Sequence, residues 1–271
     1  MIQKLFKNCS KGIVNYKDIL FFHNWFKNYV KQFGNNENIK LKKEHTYRVC
    51  KNIIQIGKDL KLDKEKLYLA QTIALFHDLG RFEQFYKYGT FRDAKSVNHA
   101  LLSVKILQLN KILKGISKRE KKLICKAIAY HNKRILPKNE DSECLFYSKL
   151  IRDADKLDIF YVFIKYYENA YYNPVIELEL PERNDYSKKI VEDILNSRIS
   201  DLSLMQTTND MKLMLLSWLF DINFIPTYRY IKQRRYIEKL INFLPKTDDI
   251  KKIKIYLEKY LERKIQSSNL L

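Results

Sequence analysis

Hydrophobic residues recur along much of the chain at three- and four-residue steps, which is the period of an amphipathic α-helix. The first such segment covers residues 13–33, and Gly34 follows it as a stop signal. A second covers residues 41–60, where Val49 and Ile53 belong to one apolar stripe. The pattern therefore predicts that the chain begins with two helices, each with one buried face.

A third helix is predicted to begin after Asp63, whose side chain is suited to capping it. It runs through an apolar segment to His77 and Asp78, and Gly80 is expected to end it in the left-handed conformation. Polar and aromatic residues then predict a loop over residues 81–95. An imidazole and a carboxylate thus lie side by side at the end of a buried helix.

Further helices follow this loop. Ser96 is predicted to cap a fourth helix, with His99 in its first turn. Ser117 opens a fifth helix with a capping-box pattern, and His131 lies at its end. A long helix is predicted for residues 142–172.

The C-terminal part of the chain has the same helical pattern. Four more helices are predicted there, over residues 186–198, 210–220, 228–243 and 248–264. The chain has only 6 Gly and 5 Pro in 271 residues, too few for a β-sandwich with many turns. The predicted fold class is all-α, a helical bundle with additional C-terminal helices. We expect a first domain over residues 1–172, with its core at about 41–160, and a helical extension over 173–271 packed on it.

The formal charge of +20 suggests an anionic partner, either nucleic acid or a smaller anion such as a nucleotide. The lysines are spread along the chain rather than gathered in one arm. A solvated basic surface is therefore the simpler interpretation, and nucleic acid is not the favoured partner.

Cysteine usage and the N-terminus indicate the compartment. Cys9, Cys50, Cys125 and Cys144 are far apart and form no CxxC pair, which is typical of reduced thiols in a cytoplasmic protein. The N-terminus lacks the features of a signal peptide. The most apolar window, residues 211–224, is interrupted by charges and too short to span a bilayer. We expect a soluble cytoplasmic protein with no membrane partner; a homodimer is an open alternative.

Four of the five histidines lie at helix ends or on buried stripes, each on a separate helix, whereas His23 is expected to be an ordinary packed histidine. Asp155 lies within an apolar pattern, where a carboxylate needs a partner, either a cation site or a structural salt bridge. The candidate metal ligands are His45, His77, Asp78, His99, His131 and Asp155. Divalent transition metals favour such ligands. Six exceed the need of one ion with open positions, so two ions bridged by Asp78 are predicted.

The order His, His-Asp, His, His, Asp resembles the HD-domain superfamily of metal-dependent phosphohydrolases over roughly residues 41–158. The strings HDLGR, from His77, and RDADKLD, from Arg152, resemble its two most recognisable motifs. The resemblance implies an all-α bundle whose four defining ligands correspond to His45, His77, Asp78 and Asp155.

His99 and His131 match the extra histidines of the two-metal branch of this superfamily, which includes cyclic-nucleotide and cyclic-dinucleotide phosphodiesterases. Other branches fit less well. Arg81 stands where the deoxynucleoside monophosphatases have Glu, and Glu83 is not part of the acidic pair of the alarmone hydrolases. The Gly-Tyr-Pro signature of the cyclic-di-GMP branch is also lacking. The resemblance therefore does not indicate a substrate.

The resulting hypothesis is hydrolysis of a phosphoester or phosphoanhydride in a nucleotide or cyclic nucleotide, by a hydroxide that bridges two divalent ions of Mn, Fe, Co, Ni or Mg. Asp78, Arg81 and Lys95 are the predicted catalytic residues. Arg81 and Lys95 are also the main candidates for phosphate contacts, followed by Arg92 and Lys133. Two alternatives stay open: a di-iron oxygenase with the same ligands, and a basic nucleic-acid-binding protein with a structural metal site.

Overall fold

The structure, a computed structural model, describes residues 12–169, 173 and 175–267. These residues are mainly α-helical and include no β-strand, which confirms the predicted all-α fold. Cys9 and the last residues of the helix predicted over 142–172 lie outside the described residues. Within the described part of the chain, every helix is too short or too polar to cross a lipid bilayer.

The chain forms two compact units, Met1–Asp155 and Lys156–Leu271. The first contains α1 (Tyr16–Lys31), α2 (Glu37–Asp59), α3 (Lys64–Phe76), α4 (Leu79–Tyr88), α5 (His99–Leu109), α6 (Lys118–Tyr130) and the first half of α7 (Ser142–Glu168). The units meet in the sequence inside α7. The division predicted after residue 172, with the C-terminal helices packed on the core, stays a prediction.

Helix α3 is the centre of the first unit. It packs against α1, α2 and α6, while α5 packs between α4 and α6. Apart from Gln71, its residues from Leu69 to Phe76 are buried, so this helix is apolar on nearly all sides rather than amphipathic. Aromatic side chains fill the surrounding core, with Phe22 edge-on to Phe76 at a ring separation of 5.4 Å. The C-terminal end of α3 is consequently held in the interior.

The prediction that Gly80 ends the third helix is wrong. Helix α3 ends at Phe76, Asp78 precedes α4, and Gly80 lies within the first turn of α4. A β-carbon at Gly80 would lie 2.3 Å from the His99 carbonyl oxygen and 2.8 Å from the Ser103 backbone nitrogen. Glycine is thus required here for close approach of α4 to α5 and not for a left-handed turn. Much of the predicted loop over residues 81–95 is also helical, since α4 extends to Tyr88.

The predicted cap of α5 is also wrong, whereas the cap of α6 is confirmed. Asn98 caps α5 by accepting a hydrogen bond from the Leu101 backbone N–H at 3.0 Å. Ser117 caps α6 by accepting one from the Glu120 N–H at 3.2 Å. The Glu120 carboxylate accepts instead from the Val14 N–H at 2.9 Å, so it anchors the segment before α1.

The second unit consists of the end of α7 followed by shorter helices. These are α8 (Lys188–Leu195), α9 (Thr208–Ser217), α10 (Ile225–Gln233), α11 (Tyr236–Asn242) and α12 (Asp248–Gln266). Helix α12 packs against α8, α10 and α11. The single helix predicted over residues 228–243 is two helices, because Arg235 adopts a left-handed conformation with φ 56° between them.

Candidate metal centre

Six side chains of the first unit converge at the ends and inner faces of its helices. Their imidazole nitrogens and carboxylate oxygens form three overlapping groups, and within each group the ligand atoms lie within 4.8 Å of one another. The six are His45, His77, Asp78, His99, His131 and Asp155. All except the partly exposed Asp155 are buried. The residues that the sequence suggested as ligands thus lie together, and their binding of metal stays a prediction.

His77 and His131 are held in the same way at two helix ends. The Nδ1 of His77 lies 2.7 Å from the Ala74 carbonyl oxygen, and the Nδ1 of His131 lies 2.7 Å from that of Ile128. A carbonyl oxygen only accepts, so Nδ1 carries the proton in both rings. In the neutral rings, Nε2 therefore presents a lone pair toward the cluster.

His45 and Asp155 come from α2 and α7. The His45 Nε2 lies 3.1 Å from Asp155 Oδ1, and the His77 Nε2 lies 3.7 Å from the same oxygen. The Asn52 amide donates to the Ala154 carbonyl at 3.2 Å, which ties α2 to α7 beside Asp155. The partners that the sequence analysis predicted for the Asp155 carboxylate are therefore the imidazoles of His45 and His77.

The two oxygens of Asp78 face different histidines. Its Oδ2 lies 3.5 Å from His45 Nε2 and 3.8 Å from His77 Nε2. Its Oδ1 lies 3.3 Å from His99 Nε2 and 3.7 Å from His131 Nε2. A carboxylate with this arrangement stands between two groups of nitrogen ligands, so it is suited to bridging two cations.

The Nε2 atoms of His99 and His131 are close enough to bind the same cation. Their Nε2 atoms lie 3.0 Å apart. The Nδ1 of His99 faces Asp93 at 2.7 Å, so its proton is on Nδ1 in the neutral ring, as in His131. Two lone pairs facing each other in a buried site repel, and a cation bound to both removes that repulsion.

The protonation of this site also suits metal binding. Burial, reinforced by the charge of Arg81, lowers the pKa of His99 to about 3, so this ring is neutral at pH 7. Burial opposes ionisation of Asp78, but Lys42 and the neighbouring histidines outweigh it and hold the pKa of Asp78 well below its ordinary value. Neutral imidazole and ionised carboxylate are the forms that bind metal.

Asp93 supports the cluster, and the sequence analysis gave it no role. Besides His99, it accepts hydrogen bonds from the Gln84 amide at 2.9 Å and the Asn132 amide at 3.1 Å. Its pKa is held below the ordinary value despite burial, by the hydrogen bonds from His99 and Gln84 and by the charge of Arg81. A carboxylate on the outer nitrogen of a metal-binding histidine fixes the orientation of the ring. No sequence spacing pointed to this contact, because Asp93 lies in an irregular segment.

Arg81, a predicted phosphate contact, makes several contacts within the protein. Its Nη1 lies 2.9 Å from Asp93 Oδ1 and 2.8 Å from Gln84 Oε1, and it also donates to the Phe91 carbonyl. Its Nε lies 3.6 Å from Asp78 Oδ1. The guanidinium therefore organises the segment that carries Asp93, and its contact with a phosphate stays a prediction.

Lys42 is a basic residue of the site that the sequence analysis missed. Its Nζ lies 2.9 Å from Asp78 Oδ2 and 5.2 Å from the centre of the Phe91 ring. The side chain is 18 % exposed, so it reaches the site from the protein surface. A signal was present in the sequence, because Lys42 lies three residues before His45 and so on the same side of α2.

The other predicted phosphate contacts lie around the cluster. Arg92 and Lys95 flank Asp93 in and beside a short 3₁₀ turn, and Lys133 lies over the Tyr130 ring at 4.8 Å. Their roles stay predictions. His23 lies apart, with its Nε2 3.0 Å from the Gln71 amide nitrogen and its ring stacked on Tyr47, as expected for a packed histidine.

Comparison with known proteins agrees with this geometry. The family model of the HD domain matches residues 43–159, a range that includes all six candidate ligands. No curated protein and no solved structure matches the chain.

Proposed function

We propose that this protein, whose residues 43–159 match the family model of the HD domain, is a metal-dependent phosphohydrolase that hydrolyses a nucleotide or cyclic nucleotide. The bond broken would be a phosphoester or a phosphoanhydride. The observation that carries the proposal is the position of Asp78, with one carboxylate oxygen toward His45 and His77 and the other toward His99 and His131.

Two divalent ions fit this arrangement better than one. We assign the first ion to His45, His77, Asp78 and Asp155. We assign the second to Asp78, His99 and His131. When bound, such ions supply Lewis-acid charge and lower the pKa of a bound water to near neutrality.

The protein side chains have separate tasks in this proposal. The backbone carbonyls of Ala74 and Ile128 keep His77 and His131 in the tautomer with a free Nε2. Asp93 does the same for His99. Because these groups are ordered before substrate arrives, little reorganisation is needed during the reaction.

Lys42 is our proposed contact for the substrate phosphate. Its ammonium group lies 2.9 Å from Asp78 Oδ2, the oxygen that faces His45 and His77. Its four-carbon stem is flexible and its side chain is partly exposed, so the ammonium can turn from Asp78 to a phosphoryl oxygen of the substrate.

Metal analysis of the purified protein followed by a nucleotide hydrolysis screen with Mn, Fe, Co, Ni and Mg tests the function. We expect close to two bound ions per chain and release of phosphate or nucleoside monophosphate. Asp78→Ala should lower kcat/KM by about 100-fold or more, the scale of losing a main electrostatic contributor. Glu65→Ala, at an exposed position, is the control.

Two results would contradict the proposal. Oxygen consumption by an iron-loaded sample, without hydrolysis of any nucleotide, would favour the oxygenase alternative. Salt-sensitive binding of single-stranded or duplex nucleic acid with no turnover of any nucleotide would favour a nucleic-acid-binding protein.

Lys42→Ala and Lys42→Arg test the phosphate contact. Loss of one charge-assisted hydrogen bond costs about 1.5–3 kcal/mol, so Lys42→Ala should raise KM by about 10- to 100-fold at unchanged metal content. Lys42→Arg should recover part of the loss, and the neighbouring Lys43→Ala should change little. Reduced metal content with an unchanged KM would mean that Lys42 only balances the charge of Asp78.

A further inference from the structure

A basic groove on the first unit is lined by the C-terminal end of α5, the segment that follows it, and α6 from its first turn to its middle. Its volume is about 650 Å³. Five lysines line it: Lys111, Lys114, Lys121, Lys122 and Lys126. Leu107 and Leu113, both buried, are also part of the lining. The groove thus combines an apolar surface with a positively charged rim.

The positive charge of the groove is only partly balanced within the protein. Lys126 contacts both oxygens of Glu140, at 2.7 and 2.6 Å. Lys111, Lys121 and Lys122 have no ion-pair partner among residues 12–169, 173 and 175–267, and no acidic residue lines the groove. Like charges brought together around a concave surface raise the local concentration of anions.

The groove is separate from the metal centre. Helices α5 and α6 each contribute a histidine to that centre, His99 at the beginning of α5 and His131 immediately after α6. Leu107 lies near the opposite end of α5, and Lys121 and Lys122 lie in the first two turns of α6, whereas Lys126 lies five residues before His131. At a rise of 1.5 Å per residue, Leu107 is about 12 Å along α5 from His99.

We propose that this groove binds a nucleoside triphosphate at a second site, distinct from the metal centre. Its volume falls in the range of about 300–1,000 Å³ that small-molecule sites occupy. Lysine ammonium groups are strong phosphate donors, and the apolar stems of the lysines, over a floor that includes the buried Leu107 and Leu113, offer a surface for the base and sugar. The proposal does not depend on the proposed hydrolysis, since it concerns different residues and requires no metal.

Fluorescence anisotropy of N-methylanthraniloyl-ATP with the full chain in EDTA tests the groove without metal-dependent turnover. The double variant Lys121→Glu/Lys122→Glu should weaken binding at least 10-fold. The control Lys51→Glu/Lys58→Glu makes the same change in net charge at two exposed positions on α2 and should stay within twofold of the wild type. Unlabelled ATP should compete for the site. Thermal unfolding verifies that all variants are folded.

Several results would overturn the proposal. Equal weakening by the groove variant and its control would mean general attraction to a positively charged protein. Competition by tripolyphosphate as strong as that by ATP would mean that the base and sugar contribute nothing to binding. Displacement of the probe by short RNA or by phosphatidylserine vesicles at lower concentrations than ATP would assign the groove to a macromolecular polyanion. Failure of nucleotide hydrolysis would leave all these measurements unaffected.

Discussion

In three of the clustered histidines, a hydrogen bond at Nδ1 orients the ring so that Nε2 faces the cluster. His77 and His131 each use the carbonyl three residues earlier, whereas His99 uses the side chain of Asp93. The first two supports are local and follow from a histidine at a helix end. The third is a tertiary contact that depends on the segment between α4 and α5.

Asp93→Asn should weaken metal binding by about 10- to 100-fold, the usual effect of losing such a supporting carboxylate. The amide lacks the negative charge that holds the Nδ1 proton of His99 and the guanidinium of Arg81. Titration of metal-free protein with Co²⁺, followed by visible absorbance, measures the change. Glu65→Gln, an exposed neutralisation on α3, serves as the control. An unchanged affinity in Asp93→Asn would show that the position of His99 is independent of Asp93.

At the scale of elements, the ligands come from helix ends that are pressed together. Gly80 allows α4 to approach α5, and its backbone N–H donates to the Ser103 hydroxyl at 2.7 Å. The same hydroxyl lies 2.9 Å from the His77 carbonyl oxygen. One serine and one glycine thus connect the end of α3, the beginning of α4 and the helix that carries His99.

Gly80→Ala should destabilise the protein by about 1–3 kcal/mol or more, because its β-carbon would meet backbone atoms that cannot turn away. Gly57→Ala is the matched control within a helix. Its β-carbon would meet the flexible ends of Leu67 at 2.7 Å and Leu62 at 3.2 Å, and the alanine gains about 1 kcal/mol of helix propensity. Urea unfolding compares the two. Equal losses would argue against the tight backbone contact at Gly80.

At the C-terminal end of α2, a substitution to glycine is expected to stabilise the protein, in contrast to Gly80→Ala. Lys61 has φ 58° just after the helix. The Leu62 N–H donates to the Gly57 carbonyl at 3.0 Å and the Lys61 N–H to that of Lys58 at 2.9 Å, which is a Schellman motif. Lys61→Gly should therefore stabilise the protein by about 1 kcal/mol, since glycine adopts this conformation without strain.

The control is Lys58→Gly, the same substitution three residues earlier. It lies within α2, where glycine costs about 1 kcal/mol. Thermal unfolding should therefore give a higher Tm for Lys61→Gly and a lower Tm for Lys58→Gly. A decrease for both would show that the left-handed turn does not persist at residue 61.

At the scale of the whole molecule, metal binding should appear as stability. An ion that binds only the folded chain adds about 2.7 kcal/mol to the free energy of unfolding when its free concentration is 100 times its Kd. For a chain of this size we expect an increase of several degrees in Tm when Mn²⁺ is added to EDTA-treated protein. Asp78→Ala should remove most of the increase. An increase of the same size in that variant would place the stabilising ions elsewhere.

The formal charge of +20 acts at the same scale, because it attracts anions to the surface as a whole. Attraction of this kind weakens steeply with salt, whereas contacts inside a buried site are screened less. Ionic strength therefore separates general attraction from binding at the metal centre.

Much of the architecture could be predicted from local patterns in the sequence. Helical periodicity predicted the all-α fold, and buried histidines and carboxylates on separate helices indicated six candidate ligands. The first follows from burial of one apolar face of each helix, and the second from the cost of burying polar groups without partners. The HD-domain resemblance rests on the same residues, and the match over residues 43–159 confirms it.

Tertiary structure alone decided the rest. The sequence could not show that Asp93 supports His99, that Lys42 contacts Asp78, or that Arg81 is held by Asp93 and Gln84. It also assigned Gly80 to a turn, although its function is close helix packing. Each of these depends on which helix ends meet in space, and spacing along the chain does not record such long-range contacts.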